Sequence, residues 1–593
     1  MSTKSVALVV PALVAGMTFG AGFNLAGGGS LGNPEKWDSG SVPTGGDGVI
    51  ANWGPTITLE ECDSLTFSKL EFGNQWTGCC ATFDIGTSKS VLVTSRMQFD
   101  ANYGTTSSFL SGTWGISADA NGEIRFGDIM PNCSWIFDGP NTLVRGSSLD
   151  NYIYFAQWSS SGTTVVFTNG AQIVGAIKMG PNTPDASGNL MKITGVGSQY
   201  LFPTDCAASQ FVLGGQGGRN RILVDDGASF RIEKDVALQM GAGSDSDKTV
   251  SGCANELTVA GGASAYVKNR IEIGTLSHSN AVSVLAGGAL DVSELRIGCS
   301  RAYMAKDLAY PTGNGLLVSG EGSSAYSRGD VFVGYDQAVD SWIEVADGAR
   351  LGLSQAHLIL NNTANATGGF LKISNGGLVA VTNSSEEVGL YVGKTGAGAR
   401  MAVDGGQYDG GTCNMIVGCD SGATGASLSV FGGGSVSVRK LTIGNNANDC
   451  RMVVSNGTVV TTGQDMEFGI GSGRGAELVV AGTNSHVETL RNMTAKNGTK
   501  LTFEVPADGY ARTPVEFLSF IPSDATTIKV RFAEDFPGGT VKLMQSTRSH
   551  PDWDDIDYSK LTFDVEEGIK IYKDQFSISV RKPRNTGLVL ILN

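Results

Sequence analysis

Apolar and polar residues alternate in short bursts along most of the chain: Leu316 and Val318, Ile343 and Val345, Leu371 and Ile373, Met401 and Val403, Met452 and Val454, Leu478 and Val480. A period of two places successive side chains on opposite faces of a strand, and no segment carries the 3.6-residue period of an amphipathic helix. A second burst follows each first one and ends on glycine, as in Val331-Phe-Val-Gly334, Leu390-Tyr-Val-Gly393, Met415-Ile-Val-Gly418 and Met466-Glu-Phe-Gly469. A weaker apolar pair lies between the two. The whole unit recurs every 25 to 36 residues or so, roughly a dozen times between 165 and 494. Three short strands per unit predict one turn of a parallel β-helix, each strand pairing with its equivalent in the turns above and below.

The corners are written in glycine. Two residues after the first burst comes Gly, Asp or Asn followed by Gly: Asp226-Gly227, Gly261-Gly262, Asp347-Gly348, Asn375-Gly376, Gly405-Gly406, Asn456-Gly457. These residues supply the positive φ of a sharp turn. Asp226 and Asp347 are therefore read as turn residues and not as a calcium-binding or catalytic row, since Asn and Gly fill the same slot elsewhere. The closing glycines are Gly180, Gly214, Gly241, Gly274, Gly298, Gly334, Gly393, Gly418, Gly444 and Gly469, with one turn closing on Leu358 to Leu360. Extra length falls just after them, at Ala242 to Ala254, Cys299 to Gly313 and Asn361 to Gly368. Longer loops are expected to project from that corner, and the loop edge with its adjacent face is the expected place for binding.

The pattern divides the chain into four parts. Residues 1–22 hold an apolar stretch from Ser5 to Met17 after Lys4, then Gly20, Ala21 and Gly22. This reads as a secretory signal, or alternatively as a first strand capping the solenoid. Residues 23–160 are β-rich but less regular and carry six of the eight Trp: Trp37, Trp53, Trp76, Trp114, Trp135 and Trp158. They are expected to close the open end of the core, with stacking on sugar rings as the other use of such rings. Residues 161–495 are the regular repeats. Residues 496–593 carry longer strands, such as Leu501-Thr-Phe-Glu-Val505 and Phe576-Ser-Ile-Ser-Val580, and read as a β-sandwich-like cap over the last rung.

Composition narrows the classes. The chain holds 83 Gly but only 16 Pro, with no strict Gly-X-Y period, which excludes collagen. Charged residues make up 17%, against about 25% in an ordinary soluble domain. The net charge of −15 and the absence of basic runs exclude a nucleic-acid partner. Beyond the possible leader, no segment reaches the ~18 apolar residues of a membrane span.

Ten cysteines without CxxC spacing and only four His give no zinc site. Cys419 follows Gly418, and Cys450 precedes the next turn's first strand. The two are expected on one corner of adjacent turns, where the alternatives are a disulfide and two buried thiols. No cofactor is indicated, and calcium at the acidic run His550-Pro-Asp-Trp-Asp-Asp-Ile-Asp557 is the one weak candidate. The run Gly469-Ile-Gly-Ser-Gly-Arg-Gly475 shares only its glycines with phosphate loops. Arg270, Lys268 and Glu272 have residue types suited to a polysaccharide-cleaving face, but neighbouring copies offer no comparable charges at this reading, and catalytic residues stay unknown.

The segments Leu257-Thr-Val-Ala-Gly-Gly-Ala263 with Ile271-Glu-Ile-Gly274, and Leu428-Ser-Val-Phe-Gly-Gly-Gly434 with Leu441-Thr-Ile-Gly444, resemble the glycine-rich β-helical surface proteins of bacteria. These include autotransporter passenger domains and autotransporter-associated β-strand repeat proteins. The entry segment Trp37-Asp-Ser-Gly-Ser-Val-Pro-Thr-Gly-Gly-Asp47 is similar too. The resemblance covers about residues 30 to 495 and implies an exported, extracellular or cell-surface column, structural or adhesive, binding glycans or other surface polymers. It does not extend to a C-terminal barrel, because the end of the chain lacks the many ~10-residue amphipathic strands of one. The expected fold is all-β, a parallel β-helix, right-handed as its class is. The alternatives are a polysaccharide lyase or hydrolase and a phage fibre or spike. Ligand identity, oligomeric state and means of attachment are left open.

Overall fold

The structure, a computed structural model, describes residues 21–23, 28–50, 56–73, 79–100, 106–127, 131–158, 160–242, 252–299, 310–382, 388–523, 525–547 and 556–584. It is a parallel β-helix of about 18 turns with 1% helix. Two 3-10 turns, Pro34–Lys36 and Tyr558–Lys560, accompany the strands. At ~4.8 Å per rung the column is roughly 85 Å long. No helix among the described residues is long and apolar enough to cross a membrane, which says nothing of β-barrels.

Each turn presents three faces. The first is built from strands such as Thr164–Thr168, Leu190–Thr194, Arg221–Asp225 and Glu256–Val259, in register Val165↔Met191, Met191↔Ile222 and Ile222↔Leu257. The second stacks Gln172–Val174, Gln199–Phe202 and Ser229–Ile232, and the third stacks Ile177–Met179, Phe211–Leu213 and Leu238–Met240. The alternating apolar residues point inward and are fully buried, among them Leu316, Val318, Ile343, Val345, Leu371 and Ile373. Burial of each large aliphatic side chain contributes about 1.5–3 kcal/mol, and the parallel ladders satisfy the backbone between turns.

The corners obey the glycine pattern. Gly180, Gly214, Gly241 and Gly274 have φ of 54°, 69°, 64° and 70°. In the turn that closes after Leu358–Leu360, Asn361 takes the same left-handed conformation at 53°. At the other corner Asp226 and Asp347 have φ of 51° and 56°. Their carboxylates accept from Thr194 Oγ1 at 3.2 Å and Ser319 Oγ at 2.7 Å in the turn before, as turn residues do.

A second corner device lies inside. Asn189, Asn220, Asn255, Asn280 and Asn314 each immediately precede a first-face strand and are fully buried. They form a ladder up the column. Asn189 Nδ2 donates to Asn220 Oδ1 at 2.8 Å, Asn255 Nδ2 to Asn280 Oδ1 at 3.0 Å and Asn280 Nδ2 to Asn314 Oδ1 at 3.1 Å. The backbone N–H groups of Asn220, Asn255 and Asn280 donate to the next asparagine's Oδ1 at 2.9, 3.0 and 2.9 Å. Stacked amides of this kind satisfy a buried corner where the chain is turning and cannot pair as a strand. A Cβ on Gly214 would land on the Asn255 carboxamide, so that closing glycine is required for space as well as for φ.

Cys450 occupies this interior slot in a later turn. It is fully buried, and its Sγ lies 3.6 Å from Asn448 O. Cys419 stands outside the corner and is half-buried, and its carbonyl accepts from Asn446 N at 3.1 Å in the turn above. The two cysteines therefore share a corner but not a side of it, and the disulfide alternative is corrected to two free thiols. Burial pushes both thiols up to about 11.

Regular stacking extends past both expected boundaries. Ala21–Phe23 already pairs in parallel with Asp47–Ile50, which makes residues 21 and 22 part of the first described strand. The stretch Ser5 to Met17 lies outside the described residues. Ser134–Asp138 pairs with Thr164–Thr168 across residue 160, and Glu477–Ala481 pairs with Lys500–Val505 across residue 495. First-face strands continue to Thr526–Phe532 and Leu561–Val565. In place of a sandwich starting at 496, an antiparallel sheet ends the column. There Ser577–Lys582 pairs with both Gly539–Ser546 and Lys570–Lys573.

The N-terminal third differs from the repeats in what fills it. Phe72, Phe99, Phe126 and Phe155 stack up the third face, with centroid separations of 4.6, 4.6 and 5.1 Å. Phe83, Phe109, Phe137 and Phe167 stack up the first face at 4.4, 4.6 and 5.0 Å. The two columns meet edge to face, Phe99 on Phe109 at 80° and Phe126 on Phe137 at 80°. Trp114 and Trp135 are fully buried among them. The expected end cap is thus an aromatic interior running through several turns. Trp53 and Trp76 lie outside the described residues.

Candidate functional site

Because the inward residues of a strand are committed to the core, any binding chemistry must come from the outward rows and the corners. The third face is the one beside the loop edge. Its central outward row runs Gln98, Arg125, Tyr154, Lys178, Val212, Gln239, Glu272, Arg296, Phe332, Ile359 and Tyr391 in consecutive turns. The row mixes rings, amides and charges. Three of its cations or their neighbours lie over tyrosines: Lys178 Nζ is 3.9 Å from the Tyr152 ring centre, Arg296 Cζ 4.4 Å from Tyr335 and Lys394 Nζ 5.7 Å from Tyr391.

Arg270 and Glu272, singled out in the sequence, form an ion pair at 2.6 Å. The expectation that neighbouring copies lack comparable charges is corrected by the register. Arg270 sits beside Glu294 and Glu272 beside Arg296 in the next turn. Arg296 pairs with Glu294, and Gln239 Nε2 donates to Glu272 Oε2 at 3.0 Å in the turn below. The irregular turn hid this, because the strand carries a bulge between Val267 and Arg270 that offsets the count. Lys268 lies at that bulge and is exposed. The arrangement is a closed set of opposite charges, with each cation matched to a carboxylate.

A few turns below, the same row opens into a cavity of about 240 Å³ lined by Tyr154, Gln157, Lys178, Asn182, Gln210 and Gln239, among others. Its corner wall comes from the segment after Ala156, which holds the closing position with φ of 50°. Trp158 stands two residues beyond and is 52% exposed, the one large indole in the described N-terminal region left facing solvent. Its carbonyl is tied to Thr183 Oγ1 in the next turn. Gln157, by contrast, is only 8% exposed, and its Oε1 has no hydrogen-bond partner among the described residues. Burial holds the Lys178 ammonium below the ordinary lysine range, with Asp150 acting in the opposite direction. Burial likewise raises the Tyr154 phenol, and the Glu123 carboxylate adds to the effect.

Amides, a tyrosine and a lysine in the cavity, with an exposed indole on the residue after Gln157, form a set suited to a polar ring with an apolar face. Of the described Trp residues in the N-terminal part, Trp158 alone keeps the stacking role open. Trp37 is buried, with Nε1 donating to Leu31 O at 3.0 Å. The amides Gln157, Gln210 and Gln239 gave no sequence signal, because they come from three turns whose lengths differ.

The other expected features fall out differently. The segment Asn361 to Gly368 lies against the column instead of projecting, with Ala366 fully buried and Asn362 Nδ2 donating to Tyr335 O at 3.2 Å. Residues 243–251 and 300–309, the bulk of the two other long loops, lie outside the described residues. So do residues 548–555, which hold most of the acidic run. Asp557, at its end, caps the Tyr558–Lys560 turn by accepting from Ser559 N at 3.1 Å. Among the described residues no three His, Cys, Asp or Glu side chains converge to hold a metal ion.

A larger concavity of about 800 Å³ lies where the column meets its antiparallel end, lined by Asp508, Tyr510, Arg512, Asp535, Phe536 and Lys542 among others. Tyr510 Oη is already committed to Val480 O at 2.9 Å and Glu504 O at 3.1 Å. No family model matches the chain, and no curated protein is detectably similar to it in sequence.

Proposed function

We propose that this protein is an exported bacterial surface or secreted β-helix, a structural or adhesive column akin to autotransporter passenger domains and autotransporter-associated β-strand repeat proteins. Its ligands in this reading are glycans or other surface polymers, held along the third face. The observation that carries the proposal is the exposed Trp158, the next residue in the chain after Gln157 of the amide-lined cavity. An indole facing water beside convergent polar groups matches the two sides of a sugar ring, whose C–H face packs on aromatic surface and whose hydroxyls need donors and acceptors. The turns above extend the same row of rings and charges, which suits a long polymer contacting several turns at once.

A glycan and polysaccharide array probed with the full chain, with calcium present and unsaturated products followed in parallel, tests the reading. Retention without new chain ends is the expected result. Release of unsaturated ends would move the assignment to a lyase, and failure to retain any glycan would remove it.

A further inference from the structure

Along the central outward row of the third face from Gln98 to Arg296, the cations are Arg125, Lys178 and Arg296. Arg125 pairs with Glu123 at 2.6 Å, and Arg296 pairs with Glu294. Lys178 forms no ion pair with any described residue. Its ammonium is half-buried in the wall of the 240 Å³ cavity, over the Tyr152 ring, and the carboxylate acting on it, Asp150, is too far to bond. Among the described residues Lys178 is the exception on a row whose other cations are matched, in a chain of net charge −15. A partly desolvated ammonium without a counter-ion is costly to hold, and a ligand anion offsets that cost.

The second observation is independent of charge. Gln157 lines the same cavity, and its buried Oε1 has no donor among the described residues, although buried amide oxygens are almost always satisfied. An anion by itself leaves that oxygen unsatisfied, since it brings only acceptors. A molecule that carries an anionic group and a neighbouring hydroxyl satisfies both Lys178 and Gln157. The cavity, about 240 Å³, is smaller than the ~300–1,000 Å³ of drug-sized sites, a size that suits a single ring.

We propose that this cavity is a subsite for one anionic sugar residue: Lys178 pairs with its carboxylate or sulfate ester, Gln157 accepts from an adjacent hydroxyl, and Trp158 stacks beneath the neighbouring unit. The inference rests on the glycan-binding reading and adds the class of sugar. The row above offers no competing site for an anion, because Arg270, Glu272, Glu294 and Arg296 satisfy one another.

The test compares retention of three hexasaccharides on the full-length protein: a polygalacturonate, its carboxyl-reduced galactose counterpart and a sulfated galactose hexamer. Wild type should hold one or both anionic hexamers at least about tenfold more tightly than the neutral one. The arm that wins identifies carboxylate or sulfate as the anion. Lys178→Met should abolish the preference, Lys178→Arg should keep most of it, and Gln157→Leu should weaken anionic binding without removing the preference. The wild-type ratio does not depend on any variant folding. Equal retention of neutral and anionic hexamers, or a preference that survives in Lys178→Met, overturns the anionic subsite while leaving glycan binding intact. No retention of any hexamer or array glycan overturns both.

Discussion

Between residues 72 and 167 the column is filled by two stacks of phenylalanine, whereas between 189 and 314 one of its inside corners is held by a ladder of asparagine. The backbone turn is the same in both regions. In the first, ring-on-ring contacts at 4.4 to 5.1 Å use nearly the whole interior, and the slot before the first-face strand holds small residues such as Cys133 and Thr163. In the second, the phenylalanines give way to Met179, Leu213, Ile193 and Val224, and the corner becomes polar. One solution concentrates stability in dispersion and burial, and the other distributes it over amide hydrogen bonds that also fix the register of each turn. The two systems meet near residue 163, where Thr163 N donates to Asn189 Oδ1 at 2.9 Å.

The comparison can be broken from either side. Solenoid stability is local, so effects are best read as amide-exchange protection at neighbouring rungs. The largest loss is expected for Phe109→Ala, which removes a ring stacked on both Phe83 and Phe137 and opens a cavity, at about 3–5 kcal/mol. Protection should fall in the rungs holding Phe83 and Phe137 and stay unchanged beyond Asn255.

Gly214→Ala comes next, because it forces a β-carbon onto the Asn255 amide and keeps a non-glycine residue at φ of 69°, which alone costs about 1–2 kcal/mol. Adding Asn255→Ala should restore the part due to overlap and leave the part due to φ. A double mutant no better than Gly214→Ala would contradict the spatial link between glycine and ladder. Asn255→Ala alone orphans the Asn220 N–H, at about 1–3 kcal/mol. The smallest effect is chemical. With their thiols raised to about 11, Cys419 and Cys450 should stay protonated and resist alkylation at pH 8 in the folded protein. Denaturation without reductant should make both fully reactive.

Much of this was legible in the residues. The bursts Leu-x-Val and Leu-x-Ile-Gly gave the strands, and the closing glycines gave the turns, because both follow from local geometry. The phenylalanines were legible in principle, since Phe72, Phe99, Phe126 and Phe155 recur at about the same spacing as the later units. They escaped because the glycine corners that announce a turn are sparser there. The asparagines were visible too, one before the first burst in each of five successive turns, but their role depends on stacking between turns. The cavity was the least legible part. Tyr154, Gln157, Lys178, Gln210 and Gln239 come together only when turns of unequal length are laid in register, and a lysine without a described partner is recognisable only once its neighbours across turns are placed.

The claim on which the functional account turns is that binding belongs to the third face beside Trp158. The most direct measurement is the affinity of one retained polysaccharide for Trp158→Ala and for Lys372→Ala, whose ammonium pairs with Glu344 at 2.7 Å on the first face. The account predicts at least about a tenfold loss for Trp158→Ala and no change for Lys372→Ala. Equal affinity in the two variants, or a loss confined to Lys372→Ala, would contradict it.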